Sequence, residues 1–296
     1  MTKQTEPQLP RTERRAESIL LGITLIWGAT FVIVKNAVTQ IEPSTFLAIR
    51  FTIAALLCIV IFRKHLLPLD RRILIDGIVL GFLFYGGFLL QTTGLKYTSA
   101  SNSGFITGTV AVFTPIIQVA IERRLPKWNH IAGIMIVMIG LFFLSGNEMD
   151  GWNKGDLMTL GCAISFSFYI VWLDIVSQRR DFRQLTVMQL LCVAIFSFCA
   201  IPFVGGGKIV MTGSLVFALF YTAVMATVVT APLQTKYQRF TTPSKAAIIY
   251  TAEPVFAAVF AYFLLHETLQ SMQWAGAGLI LTGVLISELA GKRQEV

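Results

Sequence analysis

Apolar residues run almost unbroken through ten stretches of the chain, at 18–37, 44–62, 73–94, 100–121, 128–145, 155–174, 184–203, 213–233, 245–265 and 271–289. Each is close to the roughly 20 residues with which a helix crosses a bilayer. The connectors between them are short and leave no room for a soluble domain. A membrane β-barrel would need polar and apolar residues to alternate, and runs such as 134–144 (IMIVMIGLFFL) do not. In hydrocarbon every backbone N–H and C=O must find an internal partner. The pattern therefore predicts an all-α integral membrane protein of ten transmembrane helices.

Charge orients that bundle. Charged residues make up only 14% of the chain against 55% hydrophobic ones, whereas a soluble domain carries about 25% charge. With the N-terminus placed in the cytoplasm, nineteen of the 24 Lys and Arg residues fall on cytoplasmic segments and four on the opposite side: Lys35, Lys96, Lys154 and Lys208. Arg50 lies within a helix. This is the positive-inside asymmetry; it predicts both termini in the cytoplasm, with residues 1–17 and 290–296 as cytoplasmic tails. It also accounts for the net charge of +8 without a nucleic-acid partner, since no aromatic residues interleave with the basic ones to form a stacking platform. The first apolar run is too long for a signal-peptide core. Cys58, Cys162, Cys192 and Cys199 all fall inside apolar stretches, with no CxxC pair for zinc, and read as small packing residues.

The chain also matches itself. Leu95-Lys96-Tyr97-Thr98-Ser99-Ala100-Ser101 aligns with Gln238-Arg239-Phe240-Thr241-Thr242-Pro243-Ser244 at an offset of 143, as do Gln91 with Gln234, Ala132-Gly133 with Ala275-Gly276, and Gly140 with Gly283. Nearer the start the offset is 139, pairing Gly22 with Gly161, Trp27 with Phe166 and Arg50 with Gln189. These matches predict two repeats, 18–145 and 155–289, of five helices each. An odd number of spans inserts the second repeat upside down, the arrangement of many secondary transporters, whose substrate site lies near the membrane midplane between the halves.

The residues that carry these patterns resemble the drug/metabolite transporter superfamily, EamA-like members. The resemblance rests on Ile26-Trp27-Gly28-Ala29-Thr30-Phe31 and Phe46-Leu47-Ala48-Ile49-Arg50-Phe51. It rests also on Tyr97-Thr98-Ser99-Ala100 leading to Glu122-Arg123-Arg124-Leu125, and on Thr241–Ala246 leading through Glu253-Pro254 to Glu267-Thr268-Leu269. It implies a ten-helix carrier with both ends in the cytoplasm, often an exporter of amino acids or other small metabolites. It names no substrate.

Polar groups inside the spans are the candidate chemistry, because a charge at mid-membrane costs about 2.5–3.5 kcal/mol on insertion scales. Glu253, beside helix-opening Pro254, could bind a substrate amine or a proton, pair with Arg50, or simply bond the freed backbone. Arg50 could hold a carboxylate bidentately or lock helices together. Gln91 and its mate Gln234 could line two mouths of one path. Asn102 polarises the fourth span, and Trp27, Tyr85, Tyr169, Trp172 and Tyr250 lie deep enough to line a pocket. All of these but Tyr169, nine in number, are the expected substrate-binding residues. Lys35 and Asp174 sit at helix ends and read as solvated, as do His65, His130 and His266. Trp128, Trp152 and Trp274 read as interface residues, and Gly86-Gly87 as a bending point.

The sequence lacks the usual marks of an enzyme. His266-Glu267 is not followed by a second His at zinc-protease spacing, and Gly205-Gly206-Gly207-Lys208 is not a phosphate loop. No catalytic residue, metal or cofactor is expected. The expected partners are a small-molecule substrate, the lipid bilayer and a coupling ion such as the proton. An uptake carrier for a metabolite or nucleotide-like compound, a channel, and an intramembrane lipid-modifying enzyme are the alternatives.

Overall fold

The computed structural model describes residues 9–123, 128–144, 153–204, 209–265 and 271–289. Among these residues every regular element is helical. Helix α1 spans Leu9–Ala37, α2 Pro43–Phe62, α3 Arg71–Gly94, α4 Ala100–Gly108, α5 Val110–Glu122 and α6 Trp128–Leu144. Then come α7 Lys154–Ser177, α8 Phe182–Val204, α9 Gly213–Phe220, a π-helical segment Tyr221–Val229, α10 Thr230–Tyr237, α11 Pro243–Tyr250, α12 Ala252–Leu265 and α13 Ser271–Leu289. Seven helical stretches are long and apolar enough to cross a membrane; His130–Phe143 and Ser271–Ile286 are apolar but shorter. Large apolar side chains such as Leu56, Val60, Ile61, Phe82 and Phe217 are exposed on the outer surface, where lipid rather than water suits them.

The helix ends show how polar residues are used. Free N–H groups at a helix start are costly near hydrocarbon, and side chains satisfy them. Ser99 caps α4 by accepting from the Asn102 N–H at 3.0 Å, and Thr242 caps α11 by accepting from the Lys245 N–H at 3.3 Å. Asn153 and Asp156 form a reciprocal capping box on α7. Ser99 and Thr242 are partners at the offset of 143.

Packing follows the internal repetition. Helix α6 runs along α13, α2 along α8, α3 against both α7 and α8, and α1 against α12, while α5 meets α7. The α6–α13 crossing is close because glycine lies on both sides. A Cβ at Gly140 would sit 2.8 Å from the Gly276 carbonyl oxygen, and one at Gly283 would sit 2.9 Å from that of Gly133. The two contacts exchange the same pair of repeat positions. The fourth and ninth apolar stretches break alike: Thr109 (φ −64°, ψ −7°) separates α4 from α5, and Thr251 (φ −68°, ψ −6°) separates α11 from α12. Each threonine hydroxyl donates to the carbonyl three residues back, at 2.6 and 2.5 Å.

Several expectations are corrected. Helix α1 already starts at Leu9, inside the stretch expected as tail, and Glu13 and Glu17, one turn apart, both pair with Lys245. Lys35 is not solvated; its ammonium donates to the carbonyls of Leu95 (2.6 Å) and Thr98 (2.7 Å), capping the end of α3 as a cation there should. His130 is buried, because the first turn of α6 packs inward at that position; His65 is exposed. Gly86-Gly87 does not interrupt α3, which runs unbroken from Arg71 to Gly94. Gly87 instead admits the Phe166 ring, which a Cβ would meet at 2.2 Å. The N-terminal residues 1–8, the tail 290–296, Trp152, 205–208 and His266-Glu267 lie outside the described residues.

Candidate substrate cavity

Where the broken helices meet α1, α2, α3, α7 and α10, the structure leaves a cavity of about 710 Å³, its mouth included. Its wall includes Trp27, Thr30, Phe31, Arg50, Phe84, Phe88, Gln91, Thr107, Phe166, Tyr169, Gln234, Tyr250, Thr251 and Glu253. Six of the nine expected residues therefore come together: Glu253, Arg50, Trp27, Gln91, Tyr250 and Gln234. Asn102, Tyr85 and Trp172 are not part of that wall. The Asn102 N–H is spent on the α4 cap. Tyr85 packs on Phe196 with ring centres 5.8 Å apart. Trp172 packs against the apolar core.

The wall is built from repeat partners. Trp27/Phe166, Thr30/Tyr169 and Phe31/Ile170 stand 139 residues apart, and Gln91/Gln234, Gly104/Ala247, Thr107/Tyr250, Gly108/Thr251 and Val110/Glu253 stand 143 apart. The charges break this pairing. Glu253 faces the valine of the other repeat, and Arg50 has glutamine, Gln189, as its mate.

Arg50 is 3% exposed. Its Nε donates to Thr227 Oγ1 at 3.1 Å, and its guanidinium lies 4.6 Å from the Phe88 ring centre and 5.0 Å from that of Phe51. Aromatic faces offset part of the lost hydration of a cation. Glu253 sits in the first turn of α12, where the helix dipole favours an anion. Among the described residues the two charges do not pair with each other, and no hydrogen bond or ion pair is formed by the Glu253 carboxylate. This removes two readings of Glu253, the lock to Arg50 and the bond to freed backbone.

Most other polar groups of the wall are already used. Thr30 donates to the Trp27 carbonyl (2.7 Å), Gln91 Nε2 to Thr107 Oγ1 (3.3 Å), Tyr169 to Gln189 Oε1 (3.1 Å) and Tyr250 to Gln238 Oε1 (3.1 Å). Trp27 Nε1 donates to Thr230 Oγ1 at 3.1 Å, and the Trp27 and Tyr250 rings meet edge-to-face at 5.5 Å. Phe84 stacks on Tyr169 with centres 4.6 Å apart. Open to a guest are one cation, one carboxylate and a set of aromatic faces. Sequence reasoning missed Phe84, Phe88 and Phe166, and counted Tyr169 only among the deep aromatics. Phe166 carried a signal as the repeat partner of Trp27; phenylalanines in an apolar span otherwise look alike.

Known proteins bear on what such a cavity serves. The model of the EamA-like transporter family matches residues 14–146 and 153–289. A protein of Archaeoglobus fulgidus named "Uncharacterized transporter" is 35% identical over 267 residues, covering 90% of this chain and 83% of its own. The Escherichia coli K12 protein YedA, named as an uncharacterized inner membrane transporter, is 23% identical over 279 residues, with 91% and 89% covered. A Salmonella typhimurium protein named as a probable amino-acid metabolite efflux pump is 25% identical over 292 residues, with 93% and 95% covered. A solved crystal structure shares the fold with a TM-score of 0.79 at 17% identity, covering 96% of this chain and 100% of that one. A family match over both parts of the chain, relatives named for transport and not for catalysis, and a many-span helical fold lead to one conclusion: this integral membrane protein is a transporter and belongs to the EamA-like transporter family, of the drug/metabolite transporter type.

Proposed function

We propose that the chain is a secondary carrier of ten spans, built as two inverted five-helix repeats. It moves a small polar or zwitterionic metabolite, an amino acid or a related compound, across a bacterial inner membrane by alternating access, in the outward direction. Both termini lie in the cytoplasm, as the nineteen-to-four division of basic residues requires. The proposal draws support from the reciprocal helix packing, the matching breaks at Thr109 and Thr251, and the cavity wall assembled from repeat partners. Export draws support from the printed name of the Salmonella relative.

One observation carries the substrate reading: opposite charges, Arg50 and Glu253, border one cavity without pairing with each other. Two unpaired buried charges are costly, and a guest bearing both complementary charges relieves both. Arg50 receives the carboxylate, Glu253 the ammonium, and Trp27 and Tyr250 the body of the substrate. Gln91 and Gln234, repeat mates, line the same cavity. Proton coupling through Glu253 is the form of energy input consistent with a lone carboxyl in the path.

The test begins with thermal shift of the purified protein against amino acids, nucleosides, sugars and cationic drugs, followed by counterflow in proteoliposomes with the stabilising compound. Glu253→Gln should weaken transport about 10- to 100-fold, the equivalent of one charge-assisted hydrogen bond. Unchanged transport by Glu253→Gln at every pH, or stabilisation by sugars alone, would overturn the assignment.

A further inference from the structure

We propose that Thr227, through the π-helical segment that carries it, is the positioning residue for Arg50. The inference rests on the assignment of Arg50 to the substrate carboxylate and adds a residue that makes no contact with substrate.

The segment announces itself in its side-chain bonds. A threonine in an α-helix bonds the carbonyl three or four residues back. Thr222, Thr230 and Thr235 do so, donating to Ala218, Ala226 and Ala231. Thr227 instead donates to the Thr222 carbonyl, five residues back, at 2.7 Å. Only the wider turn of Tyr221–Val229 brings that carbonyl into line. With its proton committed there, the Thr227 oxygen has lone pairs left, and Arg50 Nε–H is the donor that reaches them, at 3.1 Å.

That bond has a consequence for the guanidinium. Phe88 and Phe51 lie 4.6 and 5.0 Å from the guanidinium carbon but offer no hydrogen-bond acceptor to fix its rotation. The Nε bond sets the rotation and leaves the terminal nitrogens as the edge offered to a planar anion. The segment is itself fixed to α1 at both ends: Tyr221 Oη donates to the Ile26 carbonyl at 3.0 Å, and Thr230, just past its end, accepts from Trp27 Nε1. One wide turn thus sets both Arg50 and Trp27 in the cavity wall. The other repeat has no such turn. Its counterpart, 78–86, lies within continuous α3 and carries Phe84 at the Thr227 position.

Nuclear magnetic resonance of the full-length protein, labelled with ¹⁵N at arginine, tests this. The Arg50 Nε–H signal, assigned by its loss in Arg50→Lys, should exchange slowly with water. In Thr227→Val exchange should accelerate at least about tenfold; Thr227→Ser should restore it. Deletion of Met225, a lipid-exposed residue of the segment, narrows the turn and should accelerate exchange although the threonine remains. Fast exchange in the wild type, or slow exchange in Thr227→Val, overturns the proposal, as does a folded deletion variant that keeps slow exchange. A titration with sodium phenylacetate supplies the second arm. The terminal-nitrogen signals should shift at a concentration about 10- to 100-fold higher in Thr227→Val than in the wild type. No shift in the wild type removes the carboxylate role of Arg50, while the exchange arm still decides the Thr227 bond.

Discussion

Replacing Gly140 with alanine should force α6 away from α13, and the structure gives the size of the effect. The new Cβ would lie 2.8 Å from both the Gly276 oxygen and the Ile280 nitrogen, and 2.9 Å from Ile280 Cγ1. The first two are backbone atoms, which cannot swing aside. Ordinary contact starts at 3.4 Å, so the helices must part by about 0.6 Å there. A gap of that size forfeits a quarter to a half of each dispersion contact along the seam. Overpacking of this kind costs about 1–3 kcal/mol, while alanine returns about 0.5–1 kcal/mol of backbone entropy. The expected net loss is ~0–2.5 kcal/mol, centred near ~1 kcal/mol. Gly283→Ala should cost a similar amount, because its Cβ would meet the Gly133 oxygen at 2.9 Å and Val137 Cγ2 at 2.7 Å. The double variant should cost less than both singles together, since a seam opened by one methyl accommodates the other. Gly278→Ala is the internal control: on the same α13 helix its Cβ would meet nothing within 4 Å, so it should be neutral or slightly stabilising. Reversible unfolding in mixed micelles, followed by circular dichroism, measures all four. Gly140→Ala as stable as Gly278→Ala, or strict additivity of the two interface variants, would refute the reasoning.

Lys245 has a 9% exposed side chain and sits in the first turn of α11, where a cation opposes the helix dipole; Glu17 and Glu13 hold it there. Lys245→Met should cost about 3–5 kcal/mol by stranding the buried Glu17 carboxylate, and adding Glu17→Leu should recover most of it; the same unfolding measurement reads both. Gly87→Ala should drive the Phe166 ring into the cavity, since its Cβ would meet that ring at 2.2 Å. The expected result is a folded protein whose counterflow with the stabilising compound is weakened.

The sequence alone was enough for the helical membrane class and for picking out six residues that line one cavity, because lipid imposes strong rules: long apolar runs and few polar groups inside. Glu253 and Arg50 stood out for the cost of putting them there, and Gln91 and Gln234 because each occupied the other's place in the repeat. Other features depended on distances between segments far apart in the chain. Nothing local distinguishes Phe84, Phe88 and Tyr169, which form the wall, from Tyr85 and Trp172, which do not; a rotation about the helix axis decides it, and neighbouring helices set that rotation. Gly86-Gly87 suggested a bend, yet the glycine serves a ring arriving from α7. Lys35 looked like a solvated end until carbonyls at the end of α3 were found against it. The wide turn that carries Thr227 is likewise a tertiary matter: nothing in the run Tyr221–Val229 marks it off from an ordinary apolar helix, and its bonds to α1 and α2 exist only in the fold.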